Sequence, residues 1–146
     1  MILTGWLLKK LANITHSNGK KLIEIYGPEN AENRGGTIAM NFYDPDGHFI
    51  DHLRVEARAN QRGISLRTGC FCNPGDGEMA LGLSAEELTS CFAIKPNLEY
   101  QDFRTCLAEK STGAVRVSLG LVSNFEDVFQ MVKLAESFVD LKFSEI

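Results

Sequence analysis

The apolar periodicity of this chain never holds one value for long. It switches between helical spacing and strand alternation, and turn formers fall at the switches, so no long helix, repeat array or extended barrel strand fits it. Residues 2–14 carry Leu3, Trp6, Leu7, Leu11 and Ile14 at helical spacing, and Asn18-Gly19 then marks a turn. Leu22, Ile23, Ile25 and Tyr26 read as a strand closed by Gly27-Pro28. A second strand, Thr37–Tyr43, is stopped by Asp44-Pro45-Asp46-Gly47 and is placed to pair with the first through the polar loop 29–36. Between Asp51 and Gly63, Leu53, Val55, Ala57 and Ala59 among charged residues predict a short helix with Asp51 as N-cap and Gly63 as the stop.

Residues 64–67 read as a brief strand, and 68–77 as a loop, because turn formers crowd it. Ser84 and Glu87 have capping-box spacing ahead of a helix running to about Phe92, and Tyr100, Phe103 and Leu107 share a face of another helix. A strand follows at 114–119, with Val115 and Val117 alternating against Arg116 and Ser118. Ser123 and Glu126 then predict the capping box of a last helix, on which Phe125, Val128, Phe129, Val132, Ala135 and Val139 form an apolar stripe. The order predicts an α+β fold, a two-layer sandwich in which a small mixed or antiparallel sheet carries helices on one face. With 146 residues and no Pro/Ser/Gly-rich linker, residues 1–146 read as a single domain.

Net charge is −4 without a basic block, which points away from nucleic acid. The apolar opening is broken by Lys9 and Lys10, too soon to span a bilayer, so the expectation is a cytoplasmic protein without membrane contact. In that compartment its four cysteines are expected reduced. Cys91 and Cys106, on amphipathic helices, read as small buried apolar residues. Cys70 and Cys72 differ: they sit in the Gly/Pro loop, with Arg67 close in sequence and Arg116 on a neighbouring strand. Exposure beside positive charge is what favours a reactive thiolate. His16, His48 and His52 show no ligand spacing with Cys-x-Cys, so no metal site is expected. Arg116, projecting opposite the valines, suits two-pronged capture of a carboxylate, or a plain surface ion pair.

The run Arg67-Thr-Gly-Cys-Phe-Cys72-Asn-Pro-Gly75, preceded by Gly63-Ile-Ser-Leu and followed by Val115-Arg116-Val-Ser-Leu-Gly120 and Asn124-Phe-Glu-Asp-Val128, resembles the C-terminal part of class V aminotransferases. It is nearest to their molybdenum cofactor sulfurase and cysteine desulfurase branch, and Ile25-Tyr26-Gly27-Pro28 and Thr37-Ile-Ala-Met-Asn-Phe42 are similar to that family's small domain.

The resemblance implies the small domain of a pyridoxal-phosphate enzyme that takes sulfur from L-cysteine, or acts on another amino acid. It implies Cys72 as the catalytic nucleophile that becomes a persulfide, Cys70 as a secondary thiol, Arg116 as the binder of the substrate carboxylate and Arg67 as the loop anchor. It also implies a cofactor-binding large domain, without which this chain is inactive, and a homodimer of the complete enzyme. One departure is that Asp76-Gly77 follow Gly75, so a thiol usual in that branch is missing and the sulfur acceptor is left unnamed. The rivals are a class V aminotransferase, lyase or epimerase domain in which Cys72 is incidental, and a stand-alone sulfur-carrier or metal-binding module.

Overall fold

The structure, a computed structural model, describes residues 2–70, 74–94, 99–107 and 110–145. Two compact units share the chain: residues 1–68 with 115–146, and residues 69–114. No helix among the described residues is long and apolar enough to cross a membrane.

The first unit is built on an antiparallel sheet. β1 (Ile23–Tyr26) pairs with β2 (Thr37–Tyr43), setting Ile23 opposite Phe42 and Tyr26 opposite Ala39. β2 pairs in turn with β5 (Ala114–Ser118), setting Ala39 opposite Arg116 and Thr37 opposite Ser118. With β4 (Arg67–Gly69) the order is β1-β2-β5-β4, and the short β3 (Phe49–Ile50) folds back on the end of β2. The residue alternation sorts the two faces, as a pleated strand requires. Ile23, Ile38, Met40, Phe42 and Val115 are buried in one core with Leu7, Leu8 and Leu11 of α1 (Ile2–Ala12). Val55 of α2 (His52–Asn60) and Val128, Met131 and Leu134 of α6 (Phe125–Glu136) complete that core. The α+β reading therefore holds, with antiparallel pairing.

Local chemistry sets the ends. The Asp44 carboxylate accepts the backbone N–H groups of Asp46, Gly47 and His48 at 2.8–2.9 Å, which closes the turn and swings Phe49 and Ile50 into β3. Asp51 caps α2 as expected, accepting from the Leu53 N–H at 2.7 Å. Three details depart from the sequence reading. The α6 capping box is Asn124 with Asp127, not Ser123 with Glu126: Asn124 accepts from the Glu126 and Asp127 amides while Asp127 accepts from the Asn124 amide. Ser123 is instead engaged with the Gly120 N–H at 3.0 Å. The core face of α6 is Val128, Met131, Val132, Leu134 and Ala135, whereas Phe125 stands outward, 53% exposed. The strand expected at 64–67 lies at Arg67–Gly69, because Gly63 turns the chain at φ +69° and the Ile64 N–H returns to the Ala59 carbonyl.

The second unit is helical. α3 (Pro74–Leu81) begins inside the stretch expected to be irregular, since proline at a helix start loses no hydrogen bond and brings a helical φ. α4 (Ala85–Ile94) has the expected capping box, with the Ser84 N–H on Glu87 and the Glu87 N–H on Ser84 Oγ. α5 (Tyr100–Cys106) follows. The two cysteines expected to be reduced are joined: Cys91 of α4 and Cys106 of α5 form a disulfide across a Cα separation of 5.8 Å. Cys91 is buried, as an apolar reading requires, but its burial is covalent.

Candidate functional site

The thiol loop starts where β4 ends. Cys70 is a free, exposed cysteine. Cys72, the nucleophile implied by the resemblance, lies outside the described residues, as do Phe71 and Asn73. The root of the loop is a main-chain contact. A Cβ built on Gly113 would fall 2.5 Å from the Gly69 carbonyl carbon, and Gly69 itself holds φ +117°, so both positions need glycine. Cys70 lines a cleft of about 360 Å³ whose walls include Leu81, Leu83, Leu88, Phe92 and Phe103. Phe92 and Phe103 stack there at 5.4 Å between ring centres. Apolar side chains thus form the wall beside this exposed thiol.

In the sheet unit, Arg67 and Arg116 are both exposed, and Arg116 projects opposite Val115 and Val117 as the alternation predicts. Its face of the sheet is polar. Tyr26, Ala39 and Arg116 lie in one rung across three strands, so the smallest of the three side chains sits at the register position between a phenol and a guanidinium. Around that rung the Asn41 amide donates to the Tyr26 hydroxyl at 2.9 Å, the Tyr43 hydroxyl donates to Glu24 at 2.7 Å, and Thr37 and Ser118 meet at 3.3 Å. Burial, then the Glu24 charge, holds the Tyr26 phenol above its ordinary pKa. Burial and the hydrogen bond to Glu24 raise Tyr43 further. Both phenols therefore remain protonated near neutral pH, and Arg116 brings a cation to this face. The sequence reading singled out Arg116 but passed over Glu24, Asn41 and Tyr43. Their alternation with Ile23, Ile25, Met40 and Phe42 was the available signal.

A metal has no open claim on the described residues. Ligand atoms of Asp44, Asp46 and His48 lie within 4.8 Å of one another, yet Asp44 is already occupied by the turn amides, by His48 Nδ1 at 3.2 Å and by the Phe143 N–H at 3.2 Å. Pyridoxal phosphate does not fit around Lys21, Lys110, Lys133 or Lys142 either. It needs a lysine beside donors for a phosphate. Lys21 lines a cavity with Glu24 and Glu29, and Lys110 one with Glu86 and Glu87, so carboxylates stand where a phosphate would have to bind. Lys133 is paired with Glu136 and Lys142 with Asp46.

The helical unit presents an exposed thiol just after a strand, and the sheet unit, taken by itself, presents an arginine on a polar sheet face. Comparison with known proteins adds a direction. The chain is 41% identical over 135 residues to a molybdenum cofactor sulfurase of Solanum lycopersicum, covering 92% of the chain. It is 40% identical over 142 residues to that of Arabidopsis thaliana and 33% over 138 residues to that of Drosophila erecta. The chain spans 16–18% of the length of these relatives. No protein-family model matches it. The similarity supports a sulfurase-related domain.

Proposed function

We propose that this chain is the C-terminal small domain of a pyridoxal-phosphate-dependent, class V aminotransferase-like enzyme that moves sulfur from L-cysteine, with both compact units belonging to that one domain. The observation that carries this reading is the 33–41% identity to molybdenum cofactor sulfurases over nine-tenths of the chain. The exposed position of Cys70, next to the loop that continues to Cys72, supports it. The exposed guanidinium of Arg116 beside Ala39 supports the carboxylate role. In this reading the Cys72 thiolate bonds to the sulfur of L-cysteine as the Cβ–S bond breaks. The electron pair of that bond goes to carbon, which takes a proton, leaving a Cys72 persulfide and alanine. In this reading the cofactor belongs to a large domain: Lys21 and Lys110 line cavities with carboxylates, and Lys133 and Lys142 are paired to them.

The test uses the longer polypeptide that contains this segment. Incubation with L-cysteine should release alanine and leave a persulfide that peptide mapping places on Cys72. Cys72→Ser should bind cysteine and release almost no alanine, because a serine alkoxide is not available near neutral pH. Arg116→Lys should weaken apparent cysteine affinity by roughly tenfold to hundredfold, since an ammonium cannot reproduce a two-pronged contact and a charge-assisted hydrogen bond contributes about 1.5–3 kcal/mol. Full alanine release by Cys72→Ser defeats the reading.

A further inference from the structure

The disulfide of the helical unit borders an open cavity. Cys91 and Cys106 line about 600 Å³ of it together with Ser84, Glu87, Ser90 and Lys110, so the bond faces a polar space. A separate cleft of the same unit is the one that Cys70 lines, and its wall includes Leu88 and Phe92 of α4 and Phe103 of α5. Helical spacing explains how α4 serves both: Glu87 and Cys91 form one stripe, Leu88 and Phe92 the adjacent one. On α5, Phe103 and Cys106 lie within one turn of each other. The sulfur bond therefore ties α4 to α5 next to the place where Phe92 and Phe103 stack at 5.4 Å. That stack is a weak tie by itself, since Phe92 is 63% exposed. Little other apolar burial is at hand, because Cys91, Leu107 and Ala114 are the buried apolar residues of this unit among those described. The wall of the Cys70 cleft thus depends on a bond that can be reduced. Of its two cysteines Cys91 is buried and Cys106 half-buried, which makes Cys106 the more approachable.

We propose that Cys91–Cys106 is a redox exchange site for a dithiol reductant and that its state sets access to Cys70. One thiolate of the reductant bonds to Cys106 Sγ as the Cys91–Cys106 bond breaks, and the electron pair goes to Cys91 Sγ, which takes a proton. The second thiolate then bonds to the first reductant sulfur. The mixed disulfide breaks, its electron pair goes to Cys106 Sγ, and that sulfur is protonated. The protein is reduced by two electrons and the dithiol leaves oxidised to its own disulfide. A monothiol stalls at the first stage, because Cys91 stands beside the mixed disulfide at high effective concentration and expels it. Once the bond is open, α4 and α5 part locally, and Leu88, Phe92 and Phe103 cease to crowd the Cys70 thiol. The assignment needs no persulfide on Cys72 and stands apart from the sulfur-transfer reading.

The experiment treats the intact protein, without denaturant, with reduced dithiothreitol or with glutathione at equal thiol concentration, and maps Cys91 and Cys106 by peptide mass after acid quenching. Dithiothreitol should convert the bond to two thiols, and oxidised dithiothreitol should restore it. After gel filtration, a bulky maleimide should label Cys70 roughly threefold or more faster in the reduced protein and at the original rate after reoxidation. The double variant Cys91→Ser with Cys106→Ser should label Cys70 at the fast rate whether or not dithiothreitol has been added. A bond that opens only in urea overturns the exchange site, and reduction by glutathione as complete as that by dithiothreitol overturns the choice of a dithiol. Equal Cys70 labelling in both redox states, a fast rate that persists after reoxidation, or a double variant that labels slowly overturns the control of Cys70.

Discussion

The two units hold themselves together by different physics. In the sheet unit a single core joins α1, β1, β2, α2, β5 and α6 through side chains that are almost wholly removed from water, among them Phe42 and Phe138 with ring centres 5.2 Å apart. In the helical unit the buried apolar residues among those described are Cys91, Leu107 and Ala114. Its ties are the Cys91–Cys106 bond, the Ser84–Glu87 cap and the ion pair of Lys110 with Glu87 at 2.6 Å. Apolar burial is spread over many residues and is lost gradually. A covalent bond and an ion pair are discrete, and each can be removed chemically without touching the other unit.

The largest effect should come from opening the sheet core. Phe138→Ala removes a fully buried ring and should cost about 3–5 kcal/mol in urea unfolding, and a loss below about 1 kcal/mol would break the contrast drawn here. Reducing the disulfide, which closes a separation of 15 residues, should cost the helical unit about 3 kcal/mol. Hydrogen exchange should then lose protection in α4 and α5 and keep it in β1, β2 and α6; uniform loss would show that the units are not separable. Thiol counting should find two reactive groups per chain before reduction and four after it, since two of the four cysteines are bridged.

Asp44→Asn should cost about 1–3 kcal/mol, because the buried carboxylate serves several N–H groups at once. Burial raises the Asp44 pKa, but the hydrogen bonds from His48 and Phe143 outweigh it and leave it below the ordinary 3.8. The charged form is therefore favoured by folding. Its contribution is complete above pH 3.8 and is lost as pH falls through the lower folded value, and the asparagine variant should lack that acid-side slope. Asn124→Ala should cost about 1 kcal/mol by removing the α6 cap, while Ser123→Ala, with Ser123 outside the capping box, should cost less. The smallest effect belongs to Glu87→Gln. The hydrogen bond from Lys110 lowers the Glu87 pKa from 4.5 to about 2, so any stability it adds is present above pH 4.5 and fades towards pH 2. Exposed pairs of this kind contribute little, and the difference should shrink further in high salt.

Where the sequence was legible, a local rule and the tertiary structure agreed. β2 was readable because its alternation ends at Asp44-Pro45-Asp46-Gly47, and the outward placement of Arg116 because valines flank it. β3 has two residues, too few to show a period. The start of α3 was hidden because Pro74, Gly75, Asp76 and Gly77 are all turn formers, and only the downstream helix distinguishes an N-terminal proline from a loop proline. Ser123/Glu126 and Asn124/Asp127 offer the same spacing, so the choice between them rests on where the chain leaves Gly120. The disulfide was invisible because the approach of α4 and α5 is a tertiary fact that a separation of 15 residues does not encode. Tyr26 was counted among apolar strand residues, although its hydroxyl belongs to the polar face that Arg116 shares.

The contact between Gly113 and Gly69 has an evolutionary consequence. The base of the thiol loop is set by the Gly113 backbone against the Gly69 backbone, with the Ser111 hydroxyl hydrogen-bonded to the Gly113 carbonyl and N–H, so the loop keeps its point of departure without help from its own side chains. The two glycines carry the opposite burden: a methyl group on Gly113 must displace Gly69 and with it the attachment of Cys70. Within such a lineage the chemistry of the loop can be rewritten one residue at a time, and its address in the fold cannot.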